Sequence, residues 1–135
     1  MNPNLTLMTV SMIFASVLSS SVAQVTLKTG MSSKRVLTAM ESGDNFLIAT
    51  TVFLNLHVIL GLTLYFLAAI FWLYVLAKLD VSIAYPFVGV GFIFTMILAH
   101  FFIGDPITST KLVGTCFVAI GVVLIARQST PAILG

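Results

Sequence analysis

Charge is the scarcest property of this chain: 7% of its 135 residues are Asp, Glu, Lys or Arg, against about 25% in soluble domains. That shortage excludes a water-soluble fold, because too few charges exist to coat a chain that is 59% hydrophobic. Cysteine is nearly missing as well. A lone Cys116 in an apolar run excludes a disulfide framework and a thiolate metal site. No acid lies inside a long apolar segment, since Glu41, Asp44, Asp80 and Asp105 all sit at edges or in connections. There is no Ser-His-Asp grouping, no His/Cys metal spacing and no phosphate-cradling glycine loop. An enzyme therefore has no residues to stand on, and neither cofactor nor metal is expected. The net charge of +2 comes from six basic residues near segment ends. They suit anionic headgroups and give no footprint for nucleic acid.

What is present is a set of long uncharged runs, and the mean hydropathy is +1.16. A hydrocarbon core about 30 Å thick takes roughly 20 apolar helical residues to cross. The first span is expected at about residues 4–27. The uncharged run from Asn45 to Ala77 would be about 50 Å long as one helix, too long without strong tilt. Residues 45–53 therefore read as an interfacial lead-in, and about 54–78 as the second span. The third falls at about 82–103 and ends in Gly104-Asp105-Pro106, a stop signal of turn residues. The fourth, at about 110–127, is short, but Lys111 and Arg127 can snorkel at its ends. Helices are the open-ended structures that satisfy their backbone in lipid. The expectation is a single all-α domain over residues 1–135, with four transmembrane helices in an antiparallel hairpin arrangement. Lys28, Lys34, Arg35 and Lys111 fall on one side against Lys78 and Arg127, a bias too small to fix orientation. Ser21-Val22-Ala23 resembles a small-residue cleavage site, but no Lys or Arg precedes the run, and the span is expected to be retained.

Polar side chains in lipid tend to face a partner or a watery cavity. The first span is rich in hydroxyls, and Ser16, Ser20, Gln24 and Lys28 step by four along one helix face. Such a stripe serves either tight helix packing or a lined path; for Gln24 and Lys28 both readings stay open. His57 and His100 read as interfacial or interhelical hydrogen-bonding groups. Tyr65, Tyr74 and Trp72 could be interface anchors, although Trp72 lies deeper than a belt residue should. Pro86 removes an amide donor and restricts Tyr85, and Gly89 and Gly91 let the third span kink or accept close backbone contact. Gly114 and Gly121, seven apart, offer a helix-pairing face on the last span.

From Leu79 to Arg127 the chain resembles the second half of a four-helix unit of the drug/metabolite transporter superfamily. The similar elements are Ser82-x-Ala84-Tyr85-Pro86, an acid just after the third span, and a glycine-punctuated last span. Upstream, Trp72-Leu73 and the Gln24-x-x-x-Lys28 pattern fit in order, so the resemblance covers nearly the whole chain. Two branches compete. In the small multidrug-resistance branch, the membrane glutamate that exchanges protons for organic cations corresponds to Ser20 here, which removes that mechanism. The short flippase-like branch, similar to the subunits that move aminoarabinose linked to undecaprenyl phosphate, shares Gln24-x-x-x-Lys28 and Ala84-Tyr85-Pro86. It commonly carries Glu-Pro where this chain has Asp105-Pro106.

The resemblance implies an inner (plasma) membrane transporter, with a lipid-linked sugar phosphate or similar amphiphile as substrate and membrane lipid around it. The alternatives are an exporter of small organic cations and a non-transporting accessory subunit of a glycosyltransferase. The expected path-lining residues are Ser16, Ser20, Gln24, Lys28, Trp72 and Tyr85. Pro86, Gly89, Gly91 and Asp105 are expected to be gating or structural, with Asp105 no proton carrier. Gly114 and Gly121 are expected at a dimer contact, in a homodimer or a heterodimer with a related four-helix subunit.

Overall fold

The computed structural model describes residues 7–127, and side chains as far as residue 124. Six helices follow one another: α1 (Leu7–Met31), α2 (Lys34–Ser42), α3 (Asn45–Phe53), α4 (Leu56–Leu76), α5 (Val81–Ile103) and α6 (Ser109–Arg127). The fold is all-helical. Three helices, α1, α4 and α5, are long and apolar enough to cross a membrane, and the apolar stretch Ser109–Leu124 of α6 is shorter. At 1.5 Å per residue, α4 alone extends about 31 Å, the thickness of a hydrocarbon core. Arg127, the expected end of the last span, is the last residue of α6, and its side chain lies outside those described.

Several expected boundaries move for local reasons. The first span was read to end at residue 27, but α1 continues to Met31 and takes Lys28 into its last turn. The expected lead-in at 45–53 is itself a helix, α3. Asp44 starts it, its Oδ1 accepting from the amides of Phe46 at 2.9 Å and Leu47 at 3.3 Å. The connection before it also holds a helix, α2, which ends at Gly43 in the left-handed conformation (φ 70°) that glycine adopts without a Cβ clash. Gly104 (φ 79°) closes α5 in the same way, at the turn signal legible in the sequence. Pro86 lies buried inside α5.

Helix directions alternate around α1. Residue pairs Met8–Tyr74, Ser16–Ala68 and Gly30–Asn55 place α4 antiparallel to α1. Ser21 reaches Gly91 while the earlier Ile13 and Val17 cluster with the earlier Ala84, so α5 runs parallel to α1, and Gly89 against Val118 and Val122 places α6 on α5. Although the link between α4 and α5 is short, each packs mainly on α1 and not on the other. The core lies toward that link, where Ile13, Val17, Val75, Leu79 and Ala84 form the buried cluster.

The α1–α4 seam is built from small residues seven apart. Thr9, Ser16, Ala23 and Gly30 are buried on α1, and Gly61, Ala68 and Val75 on α4. A seven-residue repeat keeps one stripe facing a partner with slight supercoiling. Apolar burial does not drive helices together in lipid, so close contact has to come from van der Waals packing and interhelical hydrogen bonds. A Cβ at Gly61 would lie 2.6 Å from Leu27 Cγ and 3.1 Å from the Ala23 carbonyl oxygen. Asn55 fastens the far end of the seam. Its Oδ1 caps α4 by accepting from His57 N, while its Nδ2 donates to the Gly30 carbonyl at 3.3 Å and Ser33 Oγ at 3.1 Å.

Gly61→Leu should overpack this seam and destabilise the folded state by about 1–3 kcal/mol, measured by denaturation in mixed micelles. Gly114→Ala should leave stability unchanged or raise it slightly, because nothing lies within 4 Å of a Cβ there.

Candidate functional site

Because α4 and α5 both lean on α1 without closing on each other, a groove runs between them with α1 as its floor. Its volume is about 290 Å³. At about 100° per residue, Ser20 falls between the α1 face that meets α4 and the face, Ile13, Val17 and Ser21, that meets the α5 side, while Gln24 shares the direction of the latter face one turn further on, where it stays exposed. The floor thus carries Ser16, Ser20, Ser21 and Gln24; α4 contributes Tyr65, Ala68 and Trp72, and α5 contributes Tyr85, Gly91, Phe92 and Thr95.

The serines divide between packing and lining. Ser16 is buried and donates to the Ala68 carbonyl at 2.8 Å, tying α1 to α4. Ser21, also buried, donates to the Val17 carbonyl at 2.9 Å and reaches the Gly91 carbonyl of α5 at 3.2 Å, so one proton is shared between two acceptors. Ser20 bonds only within its own helix, to Val17 O at 2.9 Å, and its oxygen keeps acceptor capacity toward the groove. Gln24, one turn on, is exposed and adds an amide with both donors and an acceptor. Near the α4–α5 link, Trp72 meets Tyr85 edge to face, with centroids 6.2 Å apart and planes at 73°. This pair narrows the groove above the buried cluster. Trp72 thus forms part of the groove wall.

Of the residues expected to line a path, the structure brings together Ser16, Ser20, Gln24, Trp72 and Tyr85. Lys28 stands one turn beyond Gln24, exposed, outside the groove lining. Gly91 borders the groove and lets α1 approach, with Val17 Cγ1 at 3.4 Å from a Cβ position; Gly89 faces α6, with Val122 at 2.7 Å. Asp105 lies apart, half-buried in a second hollow of about 420 Å³ between α5 and α6, with Lys111, Gly114 and Thr115. There His100 Nδ1 meets the Asp105 carbonyl at 2.9 Å, and Lys111 Nζ donates to the Pro106 carbonyl at 2.9 Å. Phe92 and Thr95 border both hollows. Gly114 and Gly121 contact nothing within 4 Å of their Cβ positions.

Sequence reasoning missed Tyr65, Ala68, Phe92 and Thr95. Ala68 carried a signal in its seven-residue spacing from Gly61 and Val75, and Thr95 follows Gly91 by one helical turn. The groove offers hydroxyl, amide, indole and phenol groups, but no carboxylate or base among the described residues that line it. It can receive neutral or anionic hydrogen-bonding groups and stack on flat or apolar ones. Among the described residues no cluster of three His, Cys, Asp or Glu could hold a metal.

The sequence profile of the EamA-like transporter family matches residues 1–127. The chain belongs to the EamA-like transporter family. It is a multi-pass membrane protein of a transporter family. An uncharacterised protein of Sinorhizobium fredii, y4nH, is 31% identical over 117 residues, covering 86% of this chain and 92% of that protein. Two proteins named as probable 4-amino-4-deoxy-L-arabinose-phosphoundecaprenol flippase subunits, ArnE, are also similar. That of Enterobacter sp. is 36% identical over 66 residues, 49% of this chain and 62% of its own length. That of Pseudomonas syringae is 34% identical over 58 residues, 43% of this chain and 54% of its own length. No solved structure matches this EamA-like chain.

Ser16→Ala should cost roughly 0.6 kcal/mol, the average worth of an interhelical hydrogen bond in a membrane, while Ser20→Ala should leave stability nearly unchanged. Chemical or thermal unfolding of the two variants in one detergent checks the contrast.

Proposed function

We propose that this EamA-like chain is a flippase subunit that moves a polyprenyl-phosphate-linked sugar or a similar amphiphile across the inner (plasma) membrane. In this reading α1, α4, α5 and α6 are four membrane spans, and two such units, identical or related, enclose the path. The observation that carries it is the groove, polar on its α1 floor and open between α4 and α5. A lipid can keep its chain in the bilayer while its headgroup travels along Ser20 and Gln24. The flippase names of the similar ArnE proteins support the substrate class.

Lys28 supplies charge at the mouth. A base costs about 2.5–3.5 kcal/mol at a helix centre on insertion scales and much less near an end. In the last turn of α1 it can receive a phosphate and hand it to Gln24 one turn deeper. Tyr65, Trp72 and Tyr85 favour a second reading, capture of a small organic cation by aromatic faces. No carboxylate among the groove's lining residues would hold that cation or exchange a proton for it.

Reconstituted vesicles supplied with a lipid-linked sugar or a quaternary ammonium compound separate the readings. Lys28→Ala should abolish movement of the anionic lipid, Lys28→Arg should retain part, and Gln24→Ala should reduce it without changing insertion. Normal transport by both alanine variants would reduce the stripe to helix packing. Transport of the ammonium compound alone would favour the second reading.

Pairing through α6 is a separate expectation. Gly114 and Gly121 leave backbone open on one face, as transporter folds that place sites between repeats require. Replacing both with leucine should preserve insertion and weaken association, read by cross-linking or light scattering. A monomer with full activity in lipid would count against the pairing.

A further inference from the structure

The connection between α1 and α4 is not a slack loop. Asn55 binds the Gly30 carbonyl and Ser33 Oγ, so the α2–α3 pair is held at the ends of the two spans, where the bilayer surface must lie. α3 has nine residues and no buried one. At about 13 Å it cannot cross the hydrocarbon core. Its large side chains nevertheless stand open, Phe46 79% exposed, Phe53 66% and the following Leu54 80%. Beside this apolar face, a shallow cleft of about 400 Å³ is lined by Lys34, Arg35 and Thr38 of α2 and by Leu47 and Thr51 of α3. Glu41 and Asp44 do not line it.

We infer that the α2–α3 pair is a docking surface for the anionic headgroup layer of the membrane, with Lys34 and Arg35 on a phospholipid phosphate and α3 in the acyl boundary. Two observations select a lipid leaflet as the occupant. The charge is complementary, since two bases and two hydroxyls converge where headgroup phosphates are. The pair is also held at the span ends, since α3 stops at Phe53, two residues before the Asn55 that starts α4 and bonds to the end of α1, so the leaflet that covers the spans reaches α3. An apolar helix flanked by bases, lying in the interface plane, is how interfacial helices bind. Bases near an anionic surface add attraction that salt screens. Lys34 and Arg35 thus hold resident lipid beside the groove mouth. This inference does not rest on the proposed substrate: a chain that moves no lipid-linked sugar would still dock here.

The test uses the full chain in a Cys116→Ser background, reconstituted in mixed phosphatidylcholine and phosphatidylglycerol. Spin labels at Phe46→Cys and Phe53→Cys should collide with oxygen more than with a water-soluble nickel chelate. The double variant Lys34→Gln/Arg35→Gln should lower the preference for bound phosphatidylglycerol about thirtyfold, read by native mass spectrometry, with helical content unchanged. Labels open to the chelate would overturn the placement and point to a protein partner instead. An unchanged lipid preference in the double variant, or its loss on adding inorganic phosphate, would overturn the phosphatidylglycerol assignment.

Discussion

The close approach of α1 to α4 is the contact on which the remaining architecture depends. In lipid, one leucine-rich surface is no better buried against another than against acyl chains, so apolar area alone leaves helices indifferent to one another. Thr9, Ser16, Ala23 and Gly30 on one side, and Gly61, Ala68 and Val75 on the other, remove that indifference by letting backbones come near. At that distance the Ser16 hydroxyl reaches a carbonyl of α4. Asn55 then fixes the register at the far end of the same seam.

Once α1 is committed to α4 on one face and to α5 on another, its residues between those faces have no helix to cover them. Ser20 occupies that gap, and Gln24 stands exposed one turn beyond it. The groove is therefore a by-product of packing geometry, and its polarity is decided by a few positions on one helix. The aromatic pair Trp72–Tyr85 closes it toward the α4–α5 link, where the buried Ile13, Val17 and Val75 cluster begins. A floor of hydroxyls and an amide is a low-cost way to make a path in lipid. Such groups satisfy themselves on nearby carbonyls when no ligand is present, whereas a buried charge would need a partner at all times.

The outer parts follow the same economy. α6 leans on α5 through Gly89 but leaves its own Gly114 and Gly121 uncovered. The α2–α3 pair sets Lys34 and Arg35 at an open cleft and leaves the phenylalanines of α3 exposed. The α2–α3 pair is inserted between α1 and α4 and α6 follows α5, and neither contributes to the groove lining.

The sequence by itself determined the class of the protein and most of its helices. Uncharged runs must become helices in lipid because nothing else satisfies their backbone, and the four-step stripe Ser16–Ser20–Gln24 named much of the groove floor before any contact was known. It did not disclose α3 as a helix, the reach of α1 through Lys28, or the removal of Asp105 to a second hollow. Nor did it reveal which face of each span meets a neighbour. A soluble helix advertises its buried side by contrast between apolar and polar faces, but α4 and α5 are strongly apolar and α1 carries only a narrow polar stripe. Only small-residue spacing carries the partner, and that signal acquires meaning when the second helix is in place. The split between packing serines and lining residues was decided by tertiary structure alone, because Ser16 and Ser20 differ in nothing but which carbonyl lies within reach.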